Sequence, residues 1–203
     1  ADAARHATAV ALADPAAVPA AVARLRRAAL VADRSLAHDE AAQHLEQALA
    51  LDDGSLDPRE RYQLLMDLGT TYDRDGQVAR AQETLGRAAA LAQARGWAPE
   101  LAAAAVARAR VRRFDVDVVD DTGAEPLLAA AWDLLPDDDR STRARVAAER
   151  PCRRPATPED VEETVRWSAT AIDLAQRADD QVALSRALRS AFRVALRPGV
   201  DFL

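Results

Sequence analysis

The sequence predicts an all-α protein, and three observations support that fold class. The chain of 203 residues contains 50 alanines together with many leucine, arginine and glutamate residues, all of which are strong helix formers. Residues that favour strands are scarce, since aromatic side chains make up 4% of the chain and Ile172 is the single isoleucine. Apolar residues recur at helical spacing between turn signals.

Turn residues divide the chain into consecutive helices. Asp14-Pro15, residues 52–54, Gly76, Gly96 and Pro136 mark the main interruptions. We predict helices over residues 2–13, 17–34, 38–51, 58–74, 78–95, 98–113, 124–135, 140–149, 159–178 and 180–196. Residues 114–119 alternate apolar and acidic side chains, and we interpret them as an extended connection because no partner strand is apparent.

The segment between residues 61 and 95 carries the most informative pattern. One helical face precedes a turn at residues 73–76, and a second helical face follows it. The positions are Leu65, Leu68, Gly69 and Tyr72 before the turn, and Ala81, Leu85 and Ala88 after it. Small residues let two helix backbones cross closely, while larger ones fill the surrounding holes. This helical hairpin resembles the tetratricopeptide repeat motif.

The pattern of the second helix recurs about every 40 residues. The copies are Ala41, Leu45 and Ala48, then Ala124, Leu128 and Ala131, and a degenerate copy with Thr164, Ser168 and Ala171. The resemblance implies a right-handed superhelix of antiparallel helix pairs, a TPR-like α-solenoid in which each pair contacts its neighbours. We therefore expect residues 1–203 to form one continuous helical-repeat domain. Because residue 1 falls inside a helical pattern and the chain stops at the apolar Phe202-Leu203, we also expect a longer parent protein.

The composition excludes several functions. All 27 basic residues are arginine, so the chain has no P-loop lysine and no lysine that could form a Schiff base. Cys152 is the single cysteine, which rules out an intramolecular disulfide and fits a cytoplasmic location. No apolar run is long enough to span a membrane. The formal charge of −6, with acidic residues interleaved through most helices, argues against direct nucleic-acid binding.

No residues show the spacing of a catalytic or metal site. His38 and His44 lie six apart and face different directions, so we expect solvated or helix-end positions for them. Residues 115–121 and 137–139 are acidic but lack the pattern of a calcium loop, and the second cluster suits the start of the next helix. The sequence predicts no catalytic residue, no cofactor and no metal. An all-α enzyme is the remote alternative.

Arginines occur in clusters. These are Arg24, Arg26 and Arg27; Arg108, Arg110, Arg112 and Arg113; Arg143 and Arg145; and Arg150, Arg153 and Arg154. Salt-bridged solvent faces are the plainer interpretation of these clusters. The alternative is an arginine-lined groove for an acidic peptide or a small anion, because guanidinium groups bind carboxylates and phosphates well.

The second half of the chain resembles the helical C-terminal region of large actinobacterial signalling ATPases. The resemblance lies in residues 118–120, 127–137, 143–145, 171–177 and 183–188. The family includes LuxR- and MalT-type transcriptional regulators and SARP-type antibiotic regulatory proteins. The resemblance implies a sensor region of a cytoplasmic ATPase-type transcriptional regulator, whose ATPase and helix-turn-helix domains lie outside this chain. A stand-alone adaptor that assembles protein partners is the alternative.

The tetratricopeptide resemblance also implies a ligand-binding surface, because the first helix of each pair lines the concave face in that family. The positions it implies are Arg26, Leu30, Asp33 and Arg34; Gln63, Met66, Thr70, Asp73 and Arg74; and Arg189 and Arg193. The family's carboxylate clamps use lysine and asparagine, and this chain has neither. We therefore expect a protein, peptide or small effector as the partner, and not a chaperone tail.

Overall fold

The computed structural model describes residues 17–52, 54, 56–111, 123–150 and 157–195, and every regular element in these ranges is helical. The helices are α1 Val18–Arg34, α2 His38–Ala50, α3 Pro58–Arg74, α4 Val78–Ala94, α5 Ala98–Arg110, α6 Glu125–Leu134, α7 Arg140–Glu149, α8 Pro158–Arg177 and α9 Gln181–Ala195. The predicted all-α class is confirmed for this part of the chain. Contacts group α1–α4 into one compact unit and α5–α9 into a second, and the single continuous domain stays a prediction.

Helix boundaries agree with the predicted ones to within one residue, except that α5 ends at Arg110 instead of continuing to residue 113. The predicted helix over residues 2–13, the connection at 114–119 and Cys152 all lie outside the described residues.

Local signals explain where several helices start and stop. Asp57 precedes α3, and its carboxylate accepts a hydrogen bond of 2.8 Å from the backbone amide two residues later. Gly76 follows α3 with a φ of 76°, a conformation that glycine adopts without steric cost. A capping box formed by Thr157 and Asp160 starts α8.

In the first unit, the repeated pattern lies in the core. Ala41, Leu45 and Ala48 of α2 and Ala81, Leu85 and Ala88 of α4 are at most 2% exposed. The facing positions on α3, including Leu65, Leu68 and Tyr72, are buried as well. The α1–α2 and α3–α4 turns are three residues each, at residues 35–37 and 75–77, so consecutive helices form tight hairpins.

In the second unit, alanines dominate the contacts among α7, α8 and α9. One cluster contains Ala147, Ala148, Ala171 and Ala187, and another contains Ala144, Ala175 and Ala183. Short side chains allow close helix approach, which explains how an alanine-rich chain can form a core with so few aromatic residues. The two downstream copies of the repeated pattern, at residues 124, 128 and 131 and at residues 164, 168 and 171, are also buried.

Two predictions about polar residues have different outcomes. Asp139 starts α7 by accepting a hydrogen bond of 3.1 Å from the amide of Thr142, as the acidic cluster at 137–139 suggested. The prediction for His44 is wrong, because this histidine is buried in the middle of α2 instead of lying in solvent or at a helix end. It lies three residues after Ala41 and four before Ala48, two fully buried residues of the same helix, and this spacing places it on the inner face.

Within the described ranges, no helix has both the length and the apolar character needed to cross a membrane. The same residues contain no group of three or more histidine, cysteine, aspartate or glutamate side chains placed to hold a metal ion.

Candidate functional site

A groove of about 590 Å³ lies between α1 and α3 in the first unit. Its lining comes mainly from one face of each of these two helices, with Leu45 of α2 contributing as well. The lining residues are Ala23, Arg26, Arg27, Ala29, Leu30, Asp33, Leu45, Glu60, Asp67, Thr70, Thr71 and Arg74. We call this the α1–α3 groove. The helices α1 and α3 are the first helices of successive hairpins. The groove therefore lies on the helices for which the tetratricopeptide resemblance implies a ligand surface.

Arg26 connects the two sides of the groove. Its Nε atom lies 2.8 Å from Oδ2 of Asp67, and its Nη1 atom donates a hydrogen bond of 2.8 Å to Oε1 of Gln63. All three side chains are partly exposed to solvent. The guanidinium of α1 is therefore held by two acceptors of α3 that lie one helical turn apart.

Asp33 and Arg74 form a second connection across the groove. Nη1 of Arg74 lies 2.5 Å from Oδ2 of Asp33, while Oδ1 of Asp33 lies 3.0 Å from Nδ1 of His38. Burial by itself raises the pKa of Asp33, but the hydrogen bond and charge of Arg74, together with His38, outweigh it and lower that pKa below its usual value. Asp33 is thus held ionised between two hydrogen-bonding partners.

Between these two ion pairs the groove has apolar and charged parts. Leu30 is half exposed, whereas Ala29 and Leu45 beneath it are buried. Among the described residues, neither Arg27 nor Glu60 has a side-chain hydrogen bond or ion pair. The groove therefore offers an apolar surface flanked by one positive and one negative side chain.

The groove lining carries hydroxyl, carboxylate and guanidinium groups. Its hydroxyl groups belong to Thr70 and Thr71, and Thr70 donates a hydrogen bond of 2.8 Å to the backbone carbonyl of Met66. Arginine and carboxylate groups arranged in this way can exchange their partners for those of a bound chain.

Comparisons with known proteins give a structural likeness but no family match. No family model matches it, and no curated protein matches it. Among solved structures, it is similar to the crystal structure of BtubC (BKLC) from P. vanneervenii, with 16% sequence identity and a TM-score of 0.48. That likeness covers 98% of this chain and 93% of the other.

The structure brings together five of the eleven residues predicted from motif phase. Arg26, Leu30, Asp33, Thr70 and Arg74 all line the groove. Gln63 lies beside it as a partner of Arg26, while Arg34, Met66 and Asp73 are not among the lining residues. Arg189 lies on α9 of the second unit, and the side chain of Arg193 lies outside the described residues.

The repeat spacing missed Glu60 and Asp67, and it left out Arg27, which the arginine cluster at residues 24–27 had included. Asp67 could have been found, because it lies four residues after Gln63 and seven before Arg74, on one face of α3. Glu60 carried no comparable signal, since the distance between α1 and α3 in the fold decides which flanking residues reach the groove.

Proposed function

We propose that this chain is a non-catalytic helical-repeat binding module, whose α1–α3 groove takes an extended peptide segment with acidic and apolar side chains. The finer architecture belongs to the same proposal: a TPR-like right-handed superhelix of antiparallel helix pairs with a period near 40 residues. The burial of the repeated small and large positions in α2, α4, α6 and α8 supports it. The proposed binding function rests on the groove itself, because residues of both α1 and α3 line it.

The two ion pairs across the groove explain how such a ligand could bind. Arg26 and Asp67 are both partly exposed, and exposed ion pairs contribute only about 0–1 kcal/mol to stability. A carboxylate of the ligand can therefore replace Asp67 on Arg26 at small cost, and the half-exposed guanidinium of Arg74 can bind a second one beside Asp33. Leu30 supplies an apolar contact between these points. The Arg26–Asp67 and Arg74–Asp33 ion pairs hold both guanidiniums in position before a ligand binds.

To test this proposal, peptides that bind the whole chain are selected from a random display library. The affinity of the selected peptides is then measured by fluorescence polarisation. Arg26→Glu and Arg74→Glu should each weaken binding by at least about tenfold, because each reverses the charge that meets the ligand carboxylate. Arg24→Glu is the matched control, since Arg24 lies on α1, is exposed and does not line the groove. Unchanged affinity in both groove variants would overturn the assignment.

The biological setting is a separate part of the proposal. We favour the sensor region of a cytoplasmic ATPase-type transcriptional regulator, in which a ligand that prefers one curvature of the superhelix shifts the population of an attached switch domain. The alternative is a stand-alone adaptor for protein partners. Sequencing the gene outward from both ends distinguishes them. A P-loop reading frame upstream supports the regulator, whereas a start codon just before Ala1 and a stop codon after Leu203 support the adaptor.

A further inference from the structure

A carboxylate in the second unit is shared by two arginines from different helices. Oε1 of Glu149, at the end of α7, lies 2.7 Å from Nε of Arg110 on α5 and 3.4 Å from Nη1 of Arg186 on α9. The Glu149 side chain is only 12% exposed, and both arginine side chains are largely covered. Three helices therefore place their charges around one oxygen atom.

Positive charge exceeds negative charge at this point. Arg189 follows Arg186 by one helical turn on α9 and is exposed, and its side chain has no hydrogen bond or ion pair among the described residues. Burial lowers the pKa of Arg186, and the charges of Arg110 and Arg189 lower it further. Nη2 of Arg110 is also buried without a hydrogen-bond partner in the described part of the chain. Two guanidiniums thus share one carboxylate, and a third lies one helical turn away on α9.

We propose that these side chains form a binding site for a phosphate group, which we call the α9 arginine site: Arg110 and Arg186, both held by Glu149, with Arg189 one turn further along α9. The local excess of two positive charges matches a phosphate group, which carries about −1.5 to −2 at neutral pH. Arg186 and Arg189 lie at i and i+3, where both guanidiniums can reach one ligand from the exposed face of α9. Arg110, whose side chain is less exposed than that of Arg189, adds its positive charge from the more buried side of the site.

Glu149 has a positioning role in this site. By accepting hydrogen bonds from Arg110 and Arg186, it fixes two guanidiniums that would otherwise repel each other. Because the surrounding helices limit solvent access, the field of these charges is screened less than that of a fully exposed cluster. The site shares no residue with the α1–α3 groove, so the failure of one assignment leaves the other intact.

The test titrates inorganic phosphate into the whole chain by calorimetry, with acetate as the comparison anion at constant ionic strength. Phosphate should bind saturably, and acetate should bind at least about tenfold more weakly, because it carries a single charge. Arg189→Gln should weaken phosphate binding by at least about tenfold, and Arg186→Gln should do the same. The matched control is Arg177→Gln on α8, an exposed arginine paired with Asp173, which should change the affinity less than about twofold.

Circular dichroism of each variant checks that the helices are retained, and Arg189→Gln is the decisive variant because its side chain is exposed. The proposal fails if phosphate shows no saturable binding, or if Arg177→Gln weakens it as much as Arg189→Gln does. O-phosphoserine and adenosine monophosphate, titrated in parallel, identify the source of the phosphate. Tighter binding of either one than of inorganic phosphate, with the same dependence on Arg189, supports the site and names the kind of molecule that carries the group.

Discussion

Gly69 of α3 lies directly against Leu85 of α4 in the first unit. A Cβ atom added at position 69 would be 2.6 Å from Cγ and 2.8 Å from Cδ2 of Leu85, closer than such atoms can approach. The leucine side chain is 1% exposed, so its neighbours leave it little room to move. The absence of a side chain at residue 69 therefore sets how closely the two helices pack.

Gly69→Ala should destabilise the protein by about 1–2 kcal/mol. Overpacking a full core costs about 1–3 kcal/mol, and replacing a helical glycine by alanine returns about 0.5–1 kcal/mol. Urea unfolding followed by circular dichroism measures the difference in free energy of unfolding.

A double-mutant cycle with Leu85→Ala provides the control. Removing the leucine side chain creates space for the new methyl group, so Gly69→Ala should become neutral or slightly stabilising in that background. Equal destabilisation by Gly69→Ala with and without Leu85 would show that this contact is not the cause.

The two tyrosines of the chain, Tyr62 and Tyr72, should remain protonated in the folded protein well above pH 10. Burial raises the pKa of Tyr62 to about 12. Burial also raises the pKa of Tyr72, and its hydrogen bond of 2.5 Å to Glu46 raises it further. Because the folded state keeps these protons, the stability that they contribute is complete below pH 10 and is lost as the pH rises toward the folded-state values.

Ultraviolet absorbance of tyrosinate, recorded together with circular dichroism, checks this expectation. In the folded chain the tyrosinate signal should appear only near pH 12 or together with unfolding, whereas in concentrated urea both residues should titrate near pH 10. A tyrosinate signal near pH 10 from a chain with native helicity would contradict the packing around α3.

Helices were predictable because their signals are local. Pro58 after Asp57, Gly76 in a turn, and the spacing of Leu65, Leu68 and Tyr72 all act within a few residues, where helix formation and termination are decided. His44 shows the limit of this reasoning. Its spacing from Ala41 and Ala48 places it on the inner face of α2, but polar side chains are mostly solvated, so its burial was not predicted.

The groove was predictable only in part for the same reason. Motif phase identified Arg26 and Arg74, because their direction follows from the helix period. It also gave Asp33, but it could not pair Arg26 with Asp67 or Arg74 with Asp33, because the partners are 41 residues apart in each case. The pairing of Arg110 with Glu149, which are 39 residues apart, likewise could not be predicted from the sequence. Ion pairs between helices depend on how the hairpins stack, and composition and spacing do not carry that information.

Arg143 of α7 should not tolerate replacement by lysine. Its Nη1 atom donates a hydrogen bond of 2.9 Å to the carbonyl of Leu135, just after α6, and its guanidinium lies 4.0 Å from the ring centroid of Trp132. An ammonium group lacks the planar shape needed for both contacts. We expect Arg143→Lys to lower the free energy of unfolding by about 1–3 kcal/mol. Arg140→Lys, an exposed change on the same helix, should cost less than about 0.5 kcal/mol, and equal effects would refute the role.

Asp180 connects α7 to the start of α9. Its Oδ2 atom accepts hydrogen bonds of 2.7 Å from Oγ of Ser141 and 2.7 Å from Nε of Arg145, and its Oδ1 atom accepts one of 3.0 Å from the amide of Ala183. Burial by itself raises the pKa of Asp180, but these hydrogen bonds and the charge of Arg145 outweigh it and lower the pKa from 3.8 to about 2. The side chain is 6% exposed, so solvent screens these interactions little.

Asp180→Asn should therefore destabilise the chain by about 2 kcal/mol at neutral pH, the energy that corresponds to the lowered pKa. An aspartate with a lowered pKa stabilises the folded state fully above its unfolded-state pKa of 3.8, and this contribution is lost as the pH falls toward 2. Urea unfolding at neutral pH and at several values between 4 and 2 should show the wild-type advantage shrinking across this window. Asp179→Asn, at the exposed neighbouring position, should change the stability by less than about 0.5 kcal/mol throughout. An advantage of the wild type that stays constant down to pH 2 would mean that the carboxylate charge of Asp180 is not what holds α7 and α9 together.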